Sequence, residues 1–232
     1  GLKPKAIIPV DLFGLPARYR LIKEIAEELS LFILEDAAQG FGGEIRGQRA
    51  GSFGHVSTTS FFPAKPLGCY GDGGAIFTDD EELASKIKSI RVHGSGEDKY
   101  DNIRVGVNGR LDTIQAAILI EKLKIFDEEI LARNKKAEYY SLNIDKSLKV
   151  PFVPSGYLSS WAQYSLVSKS NNARERYLRK LKKQKIPAMI YYKIPLHLQR
   201  VYQKLGYHKG DFPIAEKISR RIFSIPFHPY IS

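Results

Sequence analysis

The feature that most constrains this chain is the stretch 59–75, which reads TSFFPAKPLGCYGDGGA. It places a lysine, Lys65, between two phenylalanines and a run rich in glycine. Pro66 biases Lys65 away from the α-helical region, so the stretch predicts a shaped loop and not a helix. Apolar neighbours disfavour the charged ammonium and lower the pKa of a lysine, which makes its neutral amine available as a nucleophile.

A second interpretation of this loop stays open on the loop alone. Lys65 could be a surface lysine whose apolar stem lies along the aromatic residues while its ammonium stays in water. The segment upstream favours the first interpretation. Residues 31–34 (LFIL) follow an amphipathic stretch and predict a buried parallel strand, after which the sequence continues at once into Glu35 and Asp36.

Asp36 is predicted to lie at the carboxyl end of that strand, where open α/β sheets bind their ligands. A buried carboxylate needs a cationic or hydrogen-bond-donating partner, because an unpaired buried charge is very costly. A protonated pyridine nitrogen is one such partner. Pyridoxal phosphate enzymes combine an acidic residue on that nitrogen with a lysine that binds the cofactor covalently.

Four motifs carry a resemblance to a known family. They are EDAAQ at 35–39, TSFFPAKPLGCYGDGGA at 59–75, RVHG at 91–94 and GVNGRLDTIQAA at 106–117. With these motifs, in this order, the chain resembles the DegT/DnrJ/EryC1/StrS family of pyridoxal-phosphate-dependent sugar aminotransferases. The subgroup it most resembles is the UDP-2-acetamido-2-deoxy-3-oxo-glucuronate aminotransferases, which transfer an amino group to C3 of a UDP-linked 3-keto-hexuronic acid for bacterial surface polysaccharides such as lipopolysaccharide O-antigen.

The resemblance implies a role for each matching residue. Lys65 would bind pyridoxal 5'-phosphate as a Schiff base and later move a proton as the catalytic base. Asp36 would keep the pyridine nitrogen protonated, and Gln39 would lie near the ring's 3-hydroxyl group. Ser60 would bind the cofactor phosphate, and Asn108 would reach the phosphate site of a second subunit in a homodimer with shared active sites. The alternative for Gln39 is a polar loop residue, for Ser60 a strand-end serine bonded to backbone, and for Asn108 an asparagine that suits the turn.

The substrate site is implied by the same resemblance. The matching residues are His93, Tyr191, Tyr192, His197 and Gln199. His197 and His228 could instead be structural histidines, and no histidine has the companion cysteine or carboxylate spacing of a metal site. Arg110 is expected to pair with a carboxylate or to orient the loop that holds Asn108.

The alternation of strands and helices predicts an α/β fold. Strands are expected at 6–10, 55–62, 75–78, 164–168 and 188–192, and helices at 17–29, 79–90, 112–140 and 174–184. The resemblance implies a fold-type-I, aspartate-aminotransferase-like large domain over 1–130 and a small α+β domain over 131–232. It also implies that the large domain is incomplete at its N-terminal side and that relatives continue beyond residue 232.

Composition limits the class of protein. The 232 residues carry a net charge of +11, which favours anionic partners, whether nucleic acid, phosphorylated metabolites or a membrane surface. A basic run at 174–185 fits the solvated face of an amphipathic helix better than a nucleic-acid site. A single cysteine, Cys69, fits a reducing cytoplasm, and no apolar run reaches the length of a membrane span.

The sequence therefore predicts a cytoplasmic aminotransferase that acts on a UDP-linked keto sugar, with glutamate as amino donor and without nucleic-acid or membrane partners. Dehydratases of the same family replace the Schiff-base lysine with histidine, so Lys65 argues against that chemistry. The rival interpretation is a non-enzymatic remnant of the family, which folds or dimerises but holds no cofactor.

Overall fold

The computed structural model describes residues 3–98 and 100–231, which form two compact units. Unit 1 comprises Gly1–Asn134 with Val153–Ala162, and unit 2 comprises Lys135–Phe152 with Gln163–Ser232. The predicted domain boundary, between residues 130 and 131, falls inside a long helix and stays a prediction.

Unit 1 is an α/β arrangement. Its strands are β1 (Ala6–Ile7), β2 (Phe32–Asp36), β3 (Glu44–Ile45), β4 (Gln48–Arg49), β5 (Val56–Ser60), β6 (Gly74–Phe77) and β7 (Tyr157–Leu158). Its helices are α1 (Tyr19–Glu28), α2 (Glu81–Arg91) and the part of α3 (Thr113–Asn143) that ends at Asn134. The main sheet has the order β1-β2-β5-β6, in which β6 is antiparallel to β5 and the other pairs are parallel.

Strand β2 lies in the interior of this sheet, as its apolar run predicts. Ile33 packs in one apolar cluster with Ala26 of α1 and Leu31. The chain reaches β2 from α1 through a tight turn in which the Leu31 N–H donates to the Ala26 carbonyl oxygen at 2.8 Å. Asp36 ends the strand and is half-buried, so its carboxylate lies at the carboxyl edge that the sequence predicts.

The loop between β5 and β6 packs on α3. Leu67 and Cys69 of the loop are buried in one cluster with Phe126 and Ile130 of the helix. Burial of a leucine of this kind stabilises the fold by roughly 1.5–3 kcal/mol. Gly68 permits the close turn, because a Cβ atom there would lie 2.6 Å from the Pro63 carbonyl oxygen. Packing and turn together hold the Lys65 segment in one shape.

Helix α2 begins with the predicted acidic turn. Asp80 is its N-cap, and the Asp80 carboxylate accepts a hydrogen bond from the Leu83 N–H at 2.9 Å. Glu81 and Glu82 follow in the first turn, and Lys88 and Arg91 lie in the last one. Acidic residues at the start and basic residues at the end stabilise the helix by interacting with its dipole.

Unit 2 contains the end of α3 and a two-stranded antiparallel sheet. Its further elements are β8 (Tyr164–Val167), α4 (Asn171–Lys183), α5 (Pro213–Ser219) and β9 (Ile222–Ile225), with short 3-10 turns at Leu196–Leu198 and Arg200–Leu205. Tyr164, Leu166 and Phe223 are buried in the sheet. The basic run predicted as a helix is α4, and its cations other than the buried Arg174 are exposed.

One predicted strand is wrong. Residues 188–192 form a single bridge, in which Met189 and Ser224 exchange two backbone hydrogen bonds of 3.0 and 2.7 Å. The chain then turns at Tyr191, so no further pair with β9 forms. The predicted strand at 6–10 is also shorter, because Pro9 cannot donate a ladder hydrogen bond. Within residues 3–98 and 100–231, no helix combines the length and apolar character needed to cross a membrane.

Candidate active site

Asp36 is held by the chain segments on both sides of β2. Its N–H donates to the Pro9 carbonyl oxygen at 2.9 Å, and its carbonyl oxygen accepts from the Asp11 N–H at 3.0 Å. The carboxylate oxygen Oδ1 accepts from the Ala38 N–H at 3.0 Å. These bonds fix the backbone and the direction of a half-buried carboxylate at the sheet edge.

Lys65 lies on the β5–β6 loop and is half-buried. Its N–H donates to the Phe62 carbonyl oxygen at 2.8 Å, which closes a turn at the lysine. Burial lowers the pKa of Lys65, while the Asp36 carboxylate acts in the opposite direction and raises it. The structure thus brings the two residues close enough to interact, and desolvation is the stronger effect. This is the environment that the sequence predicts for a nucleophilic amine.

Gln39 is mostly buried beneath the same edge. Its Oε1 atom accepts from the Phe13 N–H at 2.6 Å, and its carbonyl oxygen accepts from the Ser160 hydroxyl at 2.8 Å. The carboxamide is therefore oriented by the loop after β1. A role near a bound ring stays a prediction.

Ser60 ends β5 and pairs with Gly74 of β6. Its Oγ atom accepts from the Phe62 N–H at 3.3 Å. This is the backbone bond that the alternative interpretation of Ser60 predicts, and it leaves the hydroxyl proton to be placed elsewhere. A role on a phosphate stays a prediction.

His93 and Asn108 lie on two exposed segments that run side by side. The His93 N–H donates to the Val107 carbonyl oxygen at 3.0 Å, and Val92 and Asn108 form an antiparallel bridge. The Asn108 Oδ1 atom accepts from the Arg110 Nε–H at 3.1 Å. Arg110 thus contacts the loop residue that it was expected to orient.

The other predicted substrate residues lie in unit 2. The side chain of His197 is buried, its Nε2 atom lies 3.2 Å from Glu216 Oε1, and its ring lies 4.7 Å from the Phe212 ring. Its contacts are those of a structural histidine, the alternative that the sequence left open. The Gln199 amide donates to the Ile194 carbonyl oxygen at 3.4 Å, and the rings of Tyr191 and Tyr192 meet edge to face.

A sequence profile of the DegT/DnrJ/EryC1/StrS aminotransferase family matches residues 2–232. The chain belongs to this family. The resemblance predicted from the four motifs is confirmed over residues 2–232.

Two curated relatives of this DegT-family chain are sugar aminotransferases by name. UDP-2-acetamido-2-deoxy-3-oxo-D-glucuronate aminotransferase from Pseudomonas aeruginosa is 44% identical over 99% of this chain and 62% of its own length. UDP-N-acetyl-3-dehydro-alpha-D-glucosamine 3-aminotransferase from Acidithiobacillus ferrooxidans is 36% identical over 98% of this chain and 60% of its own length. The chain thus spans about three fifths of the length of these relatives.

A solved structure shares the fold. The DegT DnrJ EryC1 StrS aminotransferase from Brucella abortus superposes with a TM-score of 0.94 at 52% identity, covering 100% of this chain and 61% of that one. The predicted α/β class, that of the fold-type-I transferases, is confirmed.

Sequence reasoning missed a buried group in this family member. Asp11, Tyr19 and Glu35 lie together below the edge that carries Asp36 and Gln39. The signal was present, since Glu35 opens the EDAAQ motif and Asp11 follows the first apolar strand. Across the described part of the chain, no three His, Cys, Asp or Glu side chains are grouped so that they could hold a metal ion.

Proposed function

We propose that this protein is a pyridoxal-phosphate-dependent aminotransferase that acts on a nucleotide-linked keto sugar. The observation that carries the proposal is the half-buried Lys65, whose pKa is lowered by burial beside the Asp36 carboxylate, in a chain that the family profile matches from residue 2 to residue 232. The two residues are the lysine and the acid that this cofactor requires.

The chemistry of the donor set fits the cofactor. Asp36 is a carboxylate that can accept a hydrogen bond from a protonated ring nitrogen, and Gln39 lies on the same edge. The hydroxyl of Ser60 would take the phosphate, together with Asn108 from a second subunit. Pyridoxal phosphate, when bound, supplies an electron sink for a carbon atom that loses a proton.

Lys65 is the proposed catalytic base, which takes up a proton and later releases it. With its pKa lowered, Nζ carries a neutral amine at lower pH than an exposed lysine does, and it can accept a proton and return it. The Asp36 carboxylate limits how far the pKa falls, because a nearby negative charge stabilises the ammonium. Lys65 is therefore a stronger candidate for a base than an exposed lysine, and Asp36 opposes the full effect of burial.

The substrate class follows from the relatives and from charge. Both curated relatives carry names that place the reaction at the 3-position of a UDP-linked sugar. A net charge of +11 suits a substrate with a diphosphate and a carboxylate. We therefore propose amino transfer to C3 of a UDP-linked 3-keto-hexuronic acid from glutamate, with His93, Tyr191, Tyr192 and Gln199 as the candidate substrate residues.

We also propose an oligomeric state and a cellular location for the protein. A homodimer with shared active sites would form, since Asn108 lies on an exposed loop and would serve the phosphate site of the other subunit. The protein would work in the cytoplasm and supply an amino sugar for bacterial surface polysaccharide.

An assay with heavy-nitrogen glutamate tests this function. The protein is incubated with pyridoxal phosphate, the labelled glutamate and UDP-2-acetamido-2-deoxy-3-oxo-glucuronate. The mass of the sugar product is then measured by mass spectrometry. We expect heavy nitrogen in the product and its loss in Lys65→Arg. Lys86→Arg, which changes an exposed lysine on α2, is the matched control and should keep activity. Cofactor bound at Lys65 without any labelled sugar would refute the proposed substrate, and no bound cofactor would favour the non-enzymatic remnant.

A further inference from the structure

Two carboxyl groups lie side by side in the interior of unit 1. Asp11, in the loop after β1, and Glu35, on β2, are both fully buried. Glu35 acts on Asp11, since its charge and a hydrogen-bond contact with it both raise the pKa of Asp11. Two carboxylates at such close range in a low-dielectric interior cannot both be ionised at little cost.

Glu35 has the hydrogen-bond donors that a negative charge needs. Its Oε1 atom accepts from the Gly51 N–H at 2.5 Å, and its Oε2 atom accepts from the Phe53 N–H at 2.7 Å, the Gly54 N–H at 3.2 Å and the Ser57 hydroxyl at 2.6 Å. Four donors on one carboxyl group stabilise its charged form. Both oxygens of Glu35 therefore have donors, so a shared proton is better placed on Asp11.

Asp11 has donors on only one of its oxygens. Oδ1 accepts from the Ala17 N–H at 2.9 Å and from the Tyr19 hydroxyl at 2.8 Å. Oδ2 is buried, and no donor among residues 3–98 and 100–231 reaches it. A buried acceptor of this kind is costly. A proton on Oδ2 would turn it into a donor, and the Glu35 carboxylate, which interacts with Asp11, is the candidate acceptor.

We propose that Asp11 carries a proton on Oδ2 and shares it with Glu35, and that this pair positions Asp36 and Gln39. Burial supports the assignment, because it raises the pKa of Asp11 to about 7 against the opposing hydrogen bonds from Ala17 and Tyr19. The titratable groups that act on Asp11 are Glu35 of β2 and Tyr19 of α1, and Asp36 acts on Tyr19 as well.

The pair is tied to the candidate site through short backbone links. The Asp11 N–H donates to the Asp36 carbonyl oxygen at 3.0 Å, and the Phe13 N–H donates to Gln39 Oε1 at 2.6 Å. Asp11 also packs closely against Gly40, since a Cβ atom at Gly40 would lie 2.4 Å from the Asp11 Cβ. Loss of the proton would put two negative charges face to face, and the loop of Asp11 and Phe13 would move away from Asp36 and Gln39.

The shared proton is tested by Asp11→Asn. The asparagine Oδ1 can keep both hydrogen bonds, and its Nδ2–H₂ can donate to Glu35 at every pH, so the variant reproduces the protonated state. In the wild type, the folded state holds a proton that the unfolded state releases, so stability falls with pH between the two pKa values. The unfolding equilibrium constant of the wild type, relative to Asp11→Asn, should rise about tenfold per pH unit between about pH 4 and about pH 7.

Two further readouts on the same proteins separate the parts of the inference. Infrared spectra should show a protonated carboxyl band in the wild type at pH 6 that Asp11→Asn lacks. Amide exchange of Phe13, corrected for intrinsic rates, should speed up above about pH 7 in the wild type and stay slow in Asp11→Asn. Parallel pH profiles of stability, or no carboxyl band, would overturn the shared proton. Unchanged exchange at Phe13 would overturn the positioning role.

An effect of the Asp11–Glu35 pair on cofactor binding rests on the proposed function, whereas the protonation of Asp11 does not. Affinity for pyridoxal phosphate, followed by absorbance, should weaken in the wild type above about pH 7 relative to Asp11→Asn. A protein that shows the carboxyl band and binds no cofactor would contradict the proposed function alone. A protein that binds cofactor with the same pH profile in both forms would contradict only the link from Asp11 to the site.

Discussion

Asp36 raises the pKa of Lys65, and the burial of Lys65 lowers it by more. The two residues come from the ends of neighbouring strands, since β2 ends at Asp36 and β5 leads into the loop of Lys65. Strand pairing therefore sets the environment of the lysine. A substitution of Asp36 should therefore change the pKa of Lys65 even when the cofactor is absent.

Asp36→Asn should lower the pKa of Lys65 further, because it removes the negative charge that opposes desolvation. An acylating reagent modifies only the neutral amine, so the labelling of Lys65 should begin at lower pH in the variant. Mass spectrometry of the labelled peptide across a pH series measures this. Asp79→Asn, an exposed acid before α2, is the control and should leave the profile unchanged.

The same variant should transaminate far more slowly. A charge-assisted hydrogen bond is worth roughly 1.5–3 kcal/mol, which corresponds to a loss of roughly 10- to 150-fold in rate. Steady-state kinetics with the sugar substrate measure the loss. If Asp36→Asn turned over as fast as Asp79→Asn, Asp36 would have no part in holding the ring nitrogen.

Gly68→Ala should destabilise the loop of Lys65. The added Cβ would lie 2.6 Å from the Pro63 carbonyl oxygen, and a backbone atom cannot move aside cheaply. Urea unfolding should show a loss of about 1–3 kcal/mol. Gly71→Ala is the matched control, because its Cβ would lie 3.2 Å from the end of the flexible Gln115 side chain. Equal stability of the two variants would contradict the packing described for this loop.

Local sequence patterns predicted the elements that carry the candidate site. The apolar run before Asp36, the acidic turn of α2 and the prolines around Lys65 each act through nearby residues, so they could be interpreted without the fold. Residues 188–192 have a strand-like composition, but whether they pair is decided by β9 and by the turn at Tyr191. The composition of residues 188–192 alone could not show that they form only one bridge with β9.

The pair of Asp11 and Glu35 could not be predicted for a different reason. Its two members lie on separate elements, and their meeting depends on the close approach at Gly40 and on the donors around Glu35. The burial of His197 against Glu216 is of the same kind. A pattern shows that a residue type is present, whereas such contacts are set by tertiary packing.

Lys65→Ala and Asn108→Ala should complement each other if Asn108 serves the other subunit. A heterodimer would hold one site with both changes and one site with neither. With free exchange, about a quarter of all sites should recover activity on mixing. Exchange is followed by an independent label on each chain. Two inactive variants that exchange without regaining activity would show that both residues serve one site from one chain.

The most direct measurement of the central claim is the position of the cofactor on the chain. The protein is incubated with pyridoxal phosphate, reduced with borohydride, digested and mapped by mass spectrometry. We expect the cofactor's mass on the peptide that contains Lys65, its absence in Lys65→Ala, and unchanged labelling in Lys86→Ala. Cofactor fixed on other lysines to the same extent in the wild type and in Lys65→Ala would contradict it.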